Sequence, residues 1–203
     1  MSTNIDTVIF DLGGVLIDWN PRYLYRKIFK SEDEIEWFLK SVCTSEWNDA
    51  LDAGRPFADG IKELTQRHPE YTAPIRAWLD RWPEMISGPV SGTVDILREI
   101  KTSRRFRLYA LTNWSHETFP WALKQFDFLS WFEGVVVSGI ERMRKPHPEF
   151  FQVLFDRYSI DPARAVFIDD NIANIEAAKK LNLNTIAFQS PDQLRTSLKT
   201  WGI

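Results

Sequence analysis

Cysteine is nearly absent from this 203-residue chain, where Cys43 stands alone. A single thiol has no partner within the chain, so no internal disulfide braces the fold, and a reducing compartment is expected. Cys43 lies in an amphipathic stretch with no base nearby and reads as a packing residue. Long apolar runs are missing as well. None approaches the roughly 18 residues that a membrane span needs. The start, Met1-Ser2-Thr3-Asn4-Ile5-Asp6, lacks the basic and apolar regions of an export signal. A cytoplasmic protein with no membrane partner is therefore expected. Positive charge is not in excess: the net charge is -3 and the isoelectric point about 5.7. That argues against nucleic acid as a partner, and the densest basic cluster, Lys101 to Arg107, reads as a solvated turn. The three histidines, His68, His116 and His147, show no metal-ligand spacing.

Apolar residues make up 44% of the chain, enough to bury a sizeable core. Nine tryptophans are present, with Trp37, Trp47, Trp78 and Trp82 crowding the first half. They suit packing between elements, or the wall of a cleft where one ring edge stays wet.

Short apolar runs recur at Thr7–Phe10, Arg107–Leu111, Gly134–Val137, Ala165–Ile168 and Asn184–Phe188. Runs of this length suit strands buried on both faces. Helical patterns alternate with them: Val94, Leu97 and Ile100; Phe151, Leu154 and Tyr158; Ile172, Ile175 and Ala178. Such alternation predicts an α/β fold, a doubly wound, three-layer Rossmannoid parallel sheet. Residues 20 to about 88 break the rhythm, showing no convincing strand but several helices. Asn20-Pro21 starts one. Ser31 and Glu34 form a capping box, after which Ile35, Phe38, Leu39 and Val42 share a face. Further patterns run through 47–51, 57–64 and 75–82, and Pro191 to Trp201 reads as a terminal helix. An all-helical insert after the first strand is the simplest account.

The polar residues that matter follow strand ends: Asp11, Thr112-Asn113, Asp169-Asp170 and, a little later, Lys145. In an open parallel sheet the carboxyl ends of the strands form the ligand crevice, so these groups converge. Carboxylates hold a hard cation, a lysine with a hydroxyl and an amide offsets phosphoryl charge, and a carboxylate can attack phosphorus. Each also has an ordinary reading. Asp11 can be a turn carboxylate, Lys145 a surface lysine and Asp169-Asp170 a helix cap.

Jointly, these segments resemble the haloacid dehalogenase superfamily. Val8-Ile9-Phe10-Asp11-Leu12-Gly13-Gly14-Val15-Leu16 is similar to its first motif and Leu111-Thr112-Asn113 to its second. Arg144-Lys145-Pro146 is similar to its third, and Phe167-Ile168-Asp169-Asp170-Asn171 with Asn174 to its fourth. The insert resembles the family's four-helix cap (the helical C1 cap of subfamily IA), and Trp47 to Glu63 is similar to that of the epoxide-hydrolase-like and sugar-phosphatase-like group. The resemblance implies a core of residues 1–18 and 89–203 and an inserted four-helix-bundle cap of 19–88. It implies a magnesium-dependent phosphatase of a small phosphorylated metabolite, a sugar phosphate among the candidates, acting as a monomer or weak dimer. Asp11 would be nucleophile and metal ligand, the Gly13 carbonyl and Asp170 further ligands, and Asp169 would complete or orient the shell. Thr112 and Asn113 would bind phosphate and Lys145 would bridge nucleophile and phosphoryl group. Trp47 and Arg55 would read the substrate from the cap.

One position departs from the pattern. The usual phosphatase of this family carries an aspartate, its general acid and base, where this chain has Gly13. That implies slow turnover, or an activated substrate, or a proton from Asp18, His116 or water, and without such a donor the rate should depend steeply on leaving-group acidity. Dehalogenation by the same Asp11, and a non-catalytic metabolite-binding relative, are the competing readings. Gly13 is not the aromatic residue the former wants, and intact Asp11, Lys145 and Asp170 argue against the latter.

Overall fold

The computed structural model describes residues 5–203. Met1–Asn4, part of the stretch read above for an export signal, lies outside the described residues. The chain begins with β1 (Thr7–Phe10) and β2 (Ile17–Trp19). Helices α1 (Arg22–Tyr25), α2 (Glu32–Ser41), α3 (Ser45–Asp52), α4 (Phe57–Arg67) and α5 (Thr72–Asp80) follow, then β3 (Ile86–Pro89). From there helices and strands alternate: α6 (Ser91–Ser103), β4 (Arg107–Thr112), α7 (Phe119–Gln125), β5 (Gly134–Val137), α8 (Ser138–Glu141) and α9 (Pro148–Tyr158). The last elements are β6 (Ala165–Asp169), α10 (Ile172–Lys180), β7 (Asn184–Ala187) and α11 (Pro191–Thr200). Among the described residues no helix is long and apolar enough to cross a membrane.

Five strands form one parallel sheet in the order β5-β4-β1-β6-β7. β1 is central, with Ile9 opposite Tyr109 on one side and Phe167 on the other. Its side chains alternate between two cores, which makes the fold three-layered. Val8 and Phe10 join Leu97, Leu194 and Leu198 on one face. Ile9 joins Phe150, Phe151, Leu154 and Ile175 on the other. The chain leaves β1 for β4 and β5, then returns to its other side through β6. The sheet's switch point thus falls at the carboxyl end of β1, immediately before Asp11.

Between β2 and β3 the chain is helical, and four of the helices (α2 to α5) span 8–11 residues each. The capping box at Ser31 is formed in full: Glu34 N–H donates to Ser31 Oγ and Ser31 N–H to the Glu34 carboxylate, each at 3.3 Å. Tyr25, Phe38 and Trp78 are fully or almost fully buried, with ring centroids 4.8 Å (Tyr25–Phe38) and 6.1 Å (Tyr25–Trp78) apart. Trp47 and Trp78 are therefore packing residues, whereas Trp37 is exposed. Cys43 is buried beside this cluster, and burial pushes its thiol up to about 12, so it carries no thiolate at neutral pH.

The expectation of no strand in residues 20 to about 88 fails at its end. Ile86–Pro89 pairs antiparallel with Ile17–Trp19 as a two-stranded ribbon tethering the helical segment to the sheet. Ser87, Gly88 (φ +136°) and Pro89 conceal it, because none is a strand former and only the partner strand makes the pairing possible.

Ser31→Ala should cost about 1 kcal/mol through loss of the cap. Phe38→Ala, which opens a cavity in the aromatic cluster, should cost about 3–5 kcal/mol. Urea unfolding followed by circular dichroism checks both.

Candidate active site

Asp11 emerges from β1 almost fully buried. Its Oδ1 accepts from Leu12 N–H at 2.7 Å and from Lys145 Nζ at 2.9 Å, while its other oxygen has no partner among the described residues. Lys145 has no exposed surface, and its ammonium also donates to Asp169 Oδ2 at 2.7 Å. Burial alone would depress the ammonium, but Asp11 and Asp169 outweigh it and hold its pKa above the ordinary value. The Asp11 carboxyl is raised as well. Burial raises its pKa, Lys145 opposes that rise, and repulsion from Asp169 and Asp170 adds to it.

The lysine is held from several directions. Asn113 Nδ2 donates to the Lys145 carbonyl at 3.0 Å and Asn113 Oδ1 accepts from Lys145 N–H at 2.9 Å. Asp169 is gripped in turn: its Oδ1 accepts from Asn171 N–H at 2.8 Å and from the Asn174 amide at 3.0 Å. The Asn113 amide is thus committed to the lysine's backbone, and Asn174 orients the lysine through Asp169. Thr112 is fully buried at the end of β4, its hydroxyl without a hydrogen-bond partner.

Oxygen atoms of Asp11, Asp169 and Asp170 lie within 4.8 Å of one another. Three carboxylates against one ammonium leave excess negative charge, and a hard cation that prefers oxygen ligands relieves it. Both Asp169 oxygens are already engaged, whereas Asp170 has only its own backbone N–H, and its carboxyl is raised by desolvation and by Asp169. The donor set therefore fits a divalent cation, with open oxygens on Asp11 and Asp170. Gly14 makes room for the Asp170 carboxylate. Its φ of +73° suits glycine, and a Cβ there would stand 2.3 Å from Asp170 Oδ2.

A cavity of about 320 Å³ opens onto this cluster. Asp11, Gly13, Asn113 and Asp170 line it from the sheet. The facing wall comes from the helical segment and its ends: Trp19, Asn48, Asp52 and Trp82. Trp47 is elsewhere. Its indole N–H donates to the Gly60 carbonyl at 3.2 Å and its ring packs edge-on to Trp78. Arg55 also lies outside the lining, ion-paired with Glu63. Of the expected proton sources, Asp18 accepts from Tyr23 Oη at 2.9 Å and His116 is exposed, and neither lines the cavity. Sequence reading missed Trp19, Trp114, Asn48 and Asp52. The last two carried one signal: they lie four apart on α3, beside the buried pair Trp47 and Leu51.

The chain matches the family described as haloacid dehalogenase-like hydrolase over residues 5–182. It is similar to the sesquiterpene phosphatase of Aspergillus oryzae, with 25% identity covering 98% of this chain and 96% of that one. The phosphorylated carbohydrates phosphatase of Thermotoga maritima is 24% identical over 90% of this chain and 84% of its own. A haloacid dehalogenase-family enzyme of Bacteroides thetaiotaomicron, solved as a variant with magnesium and inorganic phosphate, shares the fold. Its TM-score is 0.71 at 21% identity, covering 92% of this chain and 95% of that one.

The two adjacent glycines should respond oppositely to alanine. Gly14→Ala forces a left-handed backbone and displaces Asp170, for a loss of about 1–2 kcal/mol. Gly13 has open space where a Cβ would lie, so Gly13→Ala should change stability by less than about 0.5 kcal/mol. Paired thermal unfolding curves decide it.

Proposed function

This chain belongs to the haloacid dehalogenase-like hydrolases, and on that premise we propose that it is a magnesium-dependent phosphatase of a small phosphorylated metabolite. The observation that carries the reading is Asp11: one carboxylate oxygen held by Leu12 N–H and Lys145, the other unpartnered in a carboxylate cluster on a cavity. Magnesium, held by Asp11, Asp170 and the Gly13 carbonyl with Asp169 behind them, would offset the charge of the phosphoryl oxygens. Asp11 attacks phosphorus and forms an aspartyl phosphate, which water hydrolyses. Lys145, fixed by Asp169 and Asn113, neutralises charge on the transferring group. The Thr112 hydroxyl, buried and unpartnered, is a donor in search of an acceptor, which a phosphoryl oxygen would supply.

Residues 19–88 act in this reading as a cap over a core of 1–18 and 89–203. Its contacts with the core support that: Phe57 N–H donates to the Glu117 carboxylate at 2.7 Å, and Arg144 pairs with Asp49 at 2.9 Å. The indoles of Trp19, Trp82 and Trp114 supply apolar faces on the cavity. Such faces suit the C–H face of a sugar or an apolar chain, matching the substrate classes named for the Thermotoga and Aspergillus relatives.

Asp11→Asn should lower turnover of an aryl phosphate by at least about 10³-fold while the protein stays folded. Chelation with EDTA should abolish activity and added Mg²⁺ restore it. Full activity after exhaustive chelation would count against the metal and favour attack on carbon, as in dehalogenation.

A further inference from the structure

We propose that Asp52, on helix α3, is the general acid and base of this site, standing in for the side chain that position 13 lacks. The inference rests on the phosphatase reading. Gly13 borders the cavity with nothing where a side chain would project, so leaving-group protonation must come from another wall. Asp11 and Asp170 have their roles. The remaining lining residues are amides, indoles and glycines, except one: Asp52 is the other titratable side chain on the cavity.

Its position is held firmly. Asn48 Nδ2 donates to Asp52 Oδ2 at 3.0 Å, and the Asp52 carbonyl accepts from Ser138 Oγ at 2.5 Å, pinning this end of α3 to the sheet side. Gly54 allows the close approach: with φ +95°, a Cβ there would stand 2.9 Å from the Gly139 carbonyl. The surroundings suit proton transfer. Burial and then Asp49 push the Asp52 carboxyl up to about 7, opposed by Asn48, the Ser115 N–H and Arg144, which is itself paired with Asp49. Glu117, on the facing loop, is committed to Phe57 N–H. Near neutrality both forms of Asp52 are populated, which is the range a general acid and base needs.

The protons balance. As the Asp11 oxygen bonds to phosphorus and the ester P–O bond breaks, protonated Asp52 gives its proton to the leaving oxygen, releasing an alcohol and leaving the Asp52 carboxylate. In the second step that carboxylate takes a proton from the water that attacks phosphorus. The P–O bond to Asp11 breaks, and hydrogen phosphate, free Asp11 and protonated Asp52 result.

The test is kcat/KM with Mg²⁺ across phenyl phosphates of graded phenol acidity, for the wild-type protein, Asp52→Asn and Asp11→Asn. The wild-type rate should vary little along the series. Asp52→Asn should fall by about 10²-fold or more on unsubstituted phenyl phosphate but far less on 4-nitrophenyl phosphate. It should also lose the alkaline limb of the pH profile near 7. The slope is a ratio within one protein, so partial misfolding of the variant does not affect it. An unchanged slope in Asp52→Asn, with Asp11→Asn inert, would overturn the Asp52 assignment alone. Turnover by Asp11→Asn would remove Asp11 from the nucleophile role, and no turnover of the series by the wild-type protein would overturn the phosphatase reading beneath it.

Discussion

Lys145 is a charged side chain with no exposed surface, placed between two carboxylates at 2.9 and 2.7 Å, and the site is arranged around it. An ammonium buried this way is costly to desolvate, and its attraction to Asp11 and Asp169 only offsets that cost while the geometry is kept. Removing either partner would strand a charge, at about 3–5 kcal/mol. The surrounding hydrogen bonds follow from that constraint. Asn113 fixes the lysine's backbone, and Asn174 and the Asn171 N–H fix Asp169. Two strand ends, those of β1 and β6, are tied together by one cation, and the backbone of the same residue holds Asn113 beyond β4. Replacing a buried ion pair by apolar residues of similar volume is often neutral or stabilising, so the triad is weak evidence for fold stability.

The same reasoning explains why the carboxylates invite a cation. With Asp170 added, negative charge exceeds what one ammonium can balance, and the open oxygens belong to Asp11 and Asp170. Gly14 is the steric counterpart of that arrangement, since any side chain there would occupy the space of the Asp170 carboxylate.

The opposite wall of the cavity comes from the helical segment, which meets the sheet side through apolar packing, with Trp82 against Trp114 and Trp121 at ring-centroid distances of 5.4 and 5.7 Å, and through a few polar contacts. The polar contacts are the Ser138 hydroxyl donating to the Asp52 carbonyl, Phe57 N–H donating to the Glu117 carboxylate, and Arg144 paired with Asp49. Contacts of this kind are specific in geometry and modest in energy.

Local rules decided much of this protein. Continuous apolar runs marked each strand of the parallel sheet, because a strand buried on both faces leaves that signature. Strand ends then marked Asp11, Lys145 and Asp169-Asp170, because a parallel sheet brings its carboxyl ends to one edge. The family match covers residues 5–182, a span that contains all of these residues. What tertiary structure alone decided is the facing wall. Nothing in the chain near Asp52 says that it borders the cavity with Asp11, 41 positions away in sequence, and nothing near Trp47 or Arg55 says that they do not. Which side of a helix meets the sheet depends on how the inserted segment docks. That docking is the sum of distant contacts such as Gly54 against the Gly139 carbonyl, where no periodicity or local propensity reaches.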